Sequence, residues 1–299
     1  MITCKSSREL DRMRVSGRIT ARALEKLAGA VRPGVSTKAI NDYADELIRA
    51  EGAQPAFLGY HGFAGSVCTS VNEQIVHGIP GARTLREGDL LKIDIGSCAE
   101  GWYSDMAATL PVGQITPAAQ ALLNTTRAAL AVGIEAVRPD AHVSDIGYAV
   151  QTFVESRGYA VVRALVGHGI GTALHEEPPV PNFGRRGTGI VLKPGMVVAI
   201  EPMVNIGTFR VKTLADKWTV VTADGSLSAH YEHTVAVTPG GFEILTLTDA
   251  QARPNYIPDA LRHEGATPRG ASADDGPHPS MRGEHVVARQ TLGQIQAIG

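Results

Sequence analysis

The sequence predicts an α/β fold of the α+β kind, made of two related halves with a central antiparallel sheet between them. Three observations carry this expectation. The order of predicted elements doubles: helix, helix, strands, then helix, helix, strands. The segments LREGDLLKID (85–94) and LKPGMVVAIE (192–201) fit one pattern of Leu, a base, any residue, Gly, any residue, two aliphatics, any residue, Ile and an acid. Each repeat is then followed by a second acid in a β-like segment: Asp105 in WYSDMAATLP and Glu232 in AHYEHTVAVTP. A period of this kind means that one structural unit occurs twice.

Residues 7–31 place Leu10, Met13, Ile19, Leu24 and Leu27 at helical spacing among charged residues. RPGVST ends that helix, and Ser36 or Thr37 caps a second over 38–51. From 57 to 113, glycines and β-branched residues predict strands and turns. Segments 90–98 and 102–110, joined by AEG at 99–101, form an antiparallel hairpin. Within LLKIDIG, Leu91, Ile93 and Ile95 share one strand face, while Lys92 and Asp94 share the other. Asp105 comes to the Asp94 face from the partner strand, and the same geometry brings Glu201 and Glu232 together. Thr116-Pro117 opens a third helix to about 137, with proline in its first turn. After Pro139 a fourth helix covers about 143–157, and strands resume from Gly158 to about 247. These limits give one domain over residues 1–250, with halves of about 5–137 and 138–248. Residues 251–299 are rich in Pro, Gly and Ala, lack the large apolar residues of a core, and are expected to be disordered apart from a helix-forming stretch at 286–298.

Apolar residues make up 43% of the chain and charged ones 19%, as in a soluble globular protein. A net charge of −2 offers no basic field to a nucleic acid. No run approaches the roughly 18 apolar residues of a membrane span. The opening MITCKSSRELDRMR lacks the apolar core of a signal peptide. Three cysteines, Cys4, Cys68 and Cys98, form no CxxC pair, which points to a reducing cytoplasm rather than a disulfide framework.

Four carboxylates at one junction raise one another's pKa and cannot all stay ionised without compensation. Two divalent cations sharing carboxylate bridges would compensate them, with His168 of GHGIGT as the nitrogen donor. Salt bridges within a repeat that is only an echo of the fold are the alternative. Other motifs are weaker. HEEPP at 175–179 does not match HExxH, and Thr172 stands where GxGxxG needs its last glycine. Ser226 and Ser228 lie in no GxSxG elbow. Cys68 reads as a small buried residue or as a thiol nucleophile. Met13, Met196 and Met203 read as core.

Six segments, taken together, resemble the type I methionine aminopeptidases: YHGFAGSVCTSVNEQIVHGIPG (60–81), LREGDLLKIDIG (85–96), WYSDMAATLPVG (102–113), GHGIGTALHEEPPVPNFG (167–184), LKPGMVVAIEPM (192–203) and TADGSLSAHYEHTVAVT (222–238). Their order and spacing agree with the family over roughly residues 5–248. The resemblance implies one metallopeptidase catalytic domain of the pita-bread, or creatinase/aminopeptidase, fold. It implies two divalent ions (Mn, Fe, Co or Zn) held by Asp94, Asp105, His168, Glu201 and Glu232, with Asp105 and Glu232 bridging. His77 and His175 would address the substrate. Tyr60, Phe57, Cys68 and Trp218 would line a methionine pocket, with His61 at its edge. The implied activity is removal of the initiator methionine from nascent chains with a small second residue. A metal-activated hydroxide would attack the scissile carbonyl, and Glu201 would shuttle the proton. The role implies a cytoplasmic monomer in transient contact with the ribosome. No large insertion separates His175 from Glu201, which favours type I, and the tail beyond about 250 has no counterpart in the minimal enzyme. Two alternatives stand beside this reading. An Xaa-Pro peptidase of the same fold usually carries an added N-terminal domain, whereas the first ligand here is already at 94. A non-catalytic binding relative would have lost metal ligands, and all five are present.

Overall fold

The computed structural model describes residues 2–248 together with 251, 252, 255 and 257; the expected disorder and helix of the tail fall outside them. Four α-helices follow the sequence pattern closely: α1 (Ser7–Ala30), α2 (Thr37–Ala50), α3 (Pro117–Glu135) and α4 (Val143–Glu155). Their starts are set by side chains that satisfy free backbone N–H groups. Ser6 and Glu9 form a reciprocal capping box on α1. Ser36, rather than Thr37, caps α2 by accepting from the Ala39 N–H. Thr116 caps α3 directly before Pro117.

A nine-stranded antiparallel sheet forms the centre. In spatial order its main path runs Gln54–Pro55, Leu90–Ala99, Trp102–Pro111, Glu232–Thr238, Val197–Ile200, Gly167–Gly169 and Glu176–Val180. Val67–Val71 adds to the Leu90–Ala99 strand, and Gly241–Ile244 to Glu232–Thr238. The expected hairpin is present in full register from Leu90–Pro111 to Ala99–Trp102. Its turn residues Glu100 and Gly101 have φ of 51° and 80°. Two successive left-handed residues match the twist of the flanking strands, so the register is fixed. Asp94 lies opposite Ala107 and Gly96 opposite Asp105. The two acids are therefore diagonal neighbours on one face.

Two pairs join the hairpin to the Glu232–Thr238 strand, Glu232–Ala107 and His233–Met106. Side chains extend this short seam. Thr234 Oγ1 accepts from the Asp105 N–H and donates to the Asp105 carbonyl. Thr109 Oγ1 accepts from the His230 N–H and donates to the His230 carbonyl.

Each helix pair covers its own strands. Leu24 and Leu27 of α1 and Ile40 and Ile48 of α2 pack with Val67, Val71, Leu91, Ile93 and Ile95. Leu130 and Ile134 of α3 and Ile146 of α4 pack with Val198, Ile200 and Val235. Helix α3 also reaches the hairpin, since Ala119, Leu122 and Leu123 share a cluster with Leu90. Met13, Met196 and Met203 are buried core residues, as expected.

Candidate metal centre

Three buried residues, Asp105, His168 and Glu232, each offer a ligand atom within 4.8 Å of the others. His168 Nε2 lies 3.8 Å from Asp105 Oδ2 and 3.8 Å from Glu201 Oε1. Its Nδ1 is 2.9 Å from the Gly169 carbonyl and can only donate there. That contact leaves the Nε2 lone pair facing the acids, the tautomer a metal needs. Asp94 joins the group from the neighbouring strand, as the diagonal neighbour of Asp105 on the same face.

The glycines around His168 have a definite cause. A Cβ on Gly167 would collide with the Ala199 carbonyl, and one on Gly169 with the Glu177 carbonyl. Neither glycine has a left-handed φ. They are required by close strand contact, not by unusual backbone angles.

The acids shift upward together. Burial brings Asp94 up to about 7, against the pull of Asp105, which lowers it. Burial, Glu232 and Asp94 hold Asp105 well above its ordinary range. Burial, Asp94 and Asp105 do the same for Glu201, and burial, Glu201 and Asp94 for Glu232. An acid in a salt bridge would shift down, so salt bridging does not explain these four. Asp94 Oδ1 and Glu232 Oε1 are buried without a hydrogen-bond partner. Burial lowers His168 to about 4, which keeps it neutral. Unpartnered hard oxygens beside one neutral imidazole fit divalent cations.

The residues expected at the substrate lie alongside. Tyr60 OH is 2.7 Å from His175 Nδ1. The His168 and His175 rings are 4.1 Å apart, and His61 sits edge-on to Tyr60 at 4.4 Å. Trp218 lies edge-on to His77 at 6.4 Å and to Phe63 at 5.1 Å. Phe57, Phe63, Cys68, Ile170 and Leu174 form one apolar cluster, with Tyr60 and Trp218 packed on it. Cys68 pairs with Asp94 in register and so joins this cluster to the acids. Burial, with Asp94, Asp105 and Glu232, holds the Cys68 thiol well above 9.0. It stays a thiol and is no nucleophile. Ser226 Oγ bonds Asp224 and Ser228 Oγ bonds the Val204 carbonyl, which are structural roles.

Three residues at the site escaped the sequence reading. Phe63 and Leu174 belong to the apolar cluster, and only their nearness to Tyr60 and His175 hinted at it. His230 Nε2 lies 3.7 Å from Glu201 Oε2 and 3.9 Å from Glu232 Oε2, with both ring nitrogens buried and unpartnered. Its spacing of two from Glu232 was the available signal, since both then share a strand face.

Comparison with known proteins places these features. The family model for metallopeptidase family M24 matches residues 11–239. Methionine aminopeptidase 1 of Bacillus subtilis (strain 168) is 51% identical over 246 residues, which cover 82% of this chain and 99% of that protein. The crystal structure of methionine aminopeptidase from Rickettsia prowazekii superposes with a TM-score of 0.82 at 42% identity, covering 83% of this chain and 100% of that one. Prolidase from Pyrococcus furiosus gives a TM-score of 0.66 at 22% identity, covering 82% of this chain and 66% of that one. At that identity the likeness speaks for the fold alone.

Proposed function

The chain belongs to metallopeptidase family M24 and has the pita-bread fold, and from that premise we propose that it is a methionine aminopeptidase, removing the initiator methionine from nascent chains whose second residue is small. The carrying observation is the junction of two environments. Buried, mutually raised carboxylates with His168 meet an apolar, aromatic and sulfur-bearing cluster at the Cys68–Asp94 pair. The Xaa-Pro alternative is disfavoured, because identity is 51% to the Bacillus subtilis enzyme and 22% to the prolidase.

Asp94, Asp105, His168, Glu201 and Glu232 would hold two divalent cations (Mn, Fe, Co or Zn). Bound there, such ions supply a water acidified toward neutrality and a Lewis acid for the scissile carbonyl. Glu201 takes up the proton of the attacking water and returns it to the leaving amine. His175 donates to the scissile carbonyl oxygen as charge builds on it. In this role His175 carries its proton on Nε2, and the Tyr60 hydroxyl, 2.7 Å from Nδ1, donates to that other nitrogen. Burial lowers His77 to about 4, so it stays neutral and accepts from the backbone N–H of the second residue. Methionine is unbranched and fits a slot between Phe57, Phe63, Cys68, Leu174 and Trp218, with His61 at the rim; a β-branched side chain does not. Thioether–aromatic contacts add to its binding.

Residues 1–250 act as one catalytic domain, and the enzyme works as a cytoplasmic monomer in transient contact with the ribosome. Among the described residues no helix is long and apolar enough to cross a membrane. The deciding assay offers Met-Ala-Ser and an Xaa-Pro dipeptide to the protein with Mn(II), Fe(II) or Co(II). Met-Ala-Ser should be cleaved after methionine and the Xaa-Pro bond left whole; the reverse would overturn the reading. Glu201→Ala should lower kcat by at least about 100-fold, and full turnover would remove its shuttle role.

A further inference from the structure

Lys92 is 1% exposed and is the bulkiest of the fully buried side chains among the described residues. It precedes Asp94 by two residues on the same strand and therefore shares its face. Its Nζ donates to the Asn72 carbonyl and to the Ser228 carbonyl, each at 2.7 Å. Asn72 belongs firmly to the first half. Its N–H donates to the Leu90 carbonyl, its side-chain Oδ1 accepts from the Leu90 N–H, and its Nδ2 donates to Asp89. Ser228 belongs to the second half, where it begins the Ser228–His230 strand that leads through Tyr231 into Glu232. One ammonium thus joins the strand that carries Asp94 to the segment that delivers Glu232, beside the 3.2 Å bond that the Ser228 N–H donates to the Asn72 carbonyl.

A buried charge held by carbonyl dipoles, without a carboxylate, is a poor source of stability. Desolvation costs several kcal/mol, and a neutral side chain of the same shape avoids it. Methionine would fill the same space. What the ammonium adds is direction, because two short bonds fix the positions of two main-chain carbonyls. That matters here, since only two ladder pairs join the hairpin to the Glu232–Thr238 strand. Thr109 and Thr234 pin that segment at His230 and beyond Glu232, and Lys92 pins it at Ser228.

We propose that Lys92 is a positioning residue, a tethered cation that clamps the two halves together and sets the span between Asp94 and Glu232. This rests on the ligand set proposed above. Lys92→Met separates the clamp from a plain charge effect, because the two predict opposite signs. Removing a positive charge near four acids should tighten Mn(II) binding, whereas releasing the clamp should weaken it. Calorimetric titration of metal-stripped protein with Mn(II) is expected to show affinity at least about tenfold weaker in Lys92→Met. Melting should stay close to wild type, and kcat on Met-Ala-Ser should fall far more than KM rises. Unchanged or tighter Mn(II) binding would overturn the proposal. Lys92→Gln, neutral but still a donor, carries the same measurement if the methionine variant does not fold.

A second arm uses Lys92→Ala, which leaves the two carbonyls facing a vacated space. Potassium or methylammonium should restore part of the Mn(II) affinity and choline at equal ionic strength should not; equal effects from all three would also overturn the clamp. Wild-type hydrolysis of Met-Ala-Ser is read separately. Its absence would sink the functional reading while the Mn(II) comparison still decides on Lys92.

Discussion

In the mechanism proposed above, Tyr60 decides which nitrogen of His175 carries the proton. Its hydroxyl is 2.7 Å from Nδ1, and burial raises its pKa, so it remains a donor through neutral pH. Protein packed around the His175 ring pulls it well below its ordinary value, with His168, His77 and His61 adding to the shift. The imidazole is therefore neutral, and its tautomer is set by one hydrogen bond. Tyr60→Phe removes that bond and lets either nitrogen hold the proton. A neutral hydrogen bond is worth roughly 0.5–1.5 kcal/mol, so kcat/KM on Met-Ala-Ser should fall about 2- to 10-fold. The loss should lie mainly in kcat, since the bond acts on the group that meets the developing charge. Unchanged kcat/KM would show that His175 does not need the tyrosine.

At the scale of elements, the sequence exposed what short-range rules control. The hairpin was legible because alternation, the Glu100-Gly101 turn and two glycine-marked repeats all pointed one way. Helix starts were legible because caps are local. Lys92 and His230 were not, since each is buried by segments more than a hundred residues away in the chain or by strands of the other half. Phe63 and Leu174 likewise gain their meaning from Trp218 and the loop partners that fold over them. The glycines beside His168 meet backbone of the neighbouring strands, and that closeness can be tested. Gly169→Ala pushes a methyl group into the Glu177 carbonyl, which is backbone and cannot swing aside. Overpacking of this kind typically costs about 1–3 kcal/mol. It should also displace His168 and weaken metal binding. Gly29 of α1 has nothing within 4 Å, so Gly29→Ala should be neutral or raise stability by roughly 0.5–1 kcal/mol. Paired thermal melts check both, and equal melting of the two variants would contradict the close-approach account.

Across the whole molecule, folding gathers acids and imidazoles from both halves and shifts them in opposite directions. Asp94 rises from 3.8 to about 7 in the metal-free fold. As pH increases through that window the unfolded chain loses its proton first, so stability present below 3.8 is lost on the way to about 7. His77, His168 and His233 move from 6.5 to about 4. Their contribution is complete above 6.5 and lost as pH falls toward 4. The alkaline loss belongs to crowded acids, and divalent cations should remove it by taking the place of the protons. Metal binding must then release protons near pH 6, where Asp94 still holds most of its own. Titration of stripped protein with Mn(II) in two buffers of different ionisation enthalpy measures this directly. The apparent enthalpy should differ between buffers by an amount equal to about one proton or more per chain. Stripping the metal with a chelator should also lower the melting temperature more at pH 8 than at pH 6. Buffer-independent enthalpy together with equal melting losses would mean that the four acids are already ionised in the empty fold, and that their closeness is balanced by something other than protons or metal.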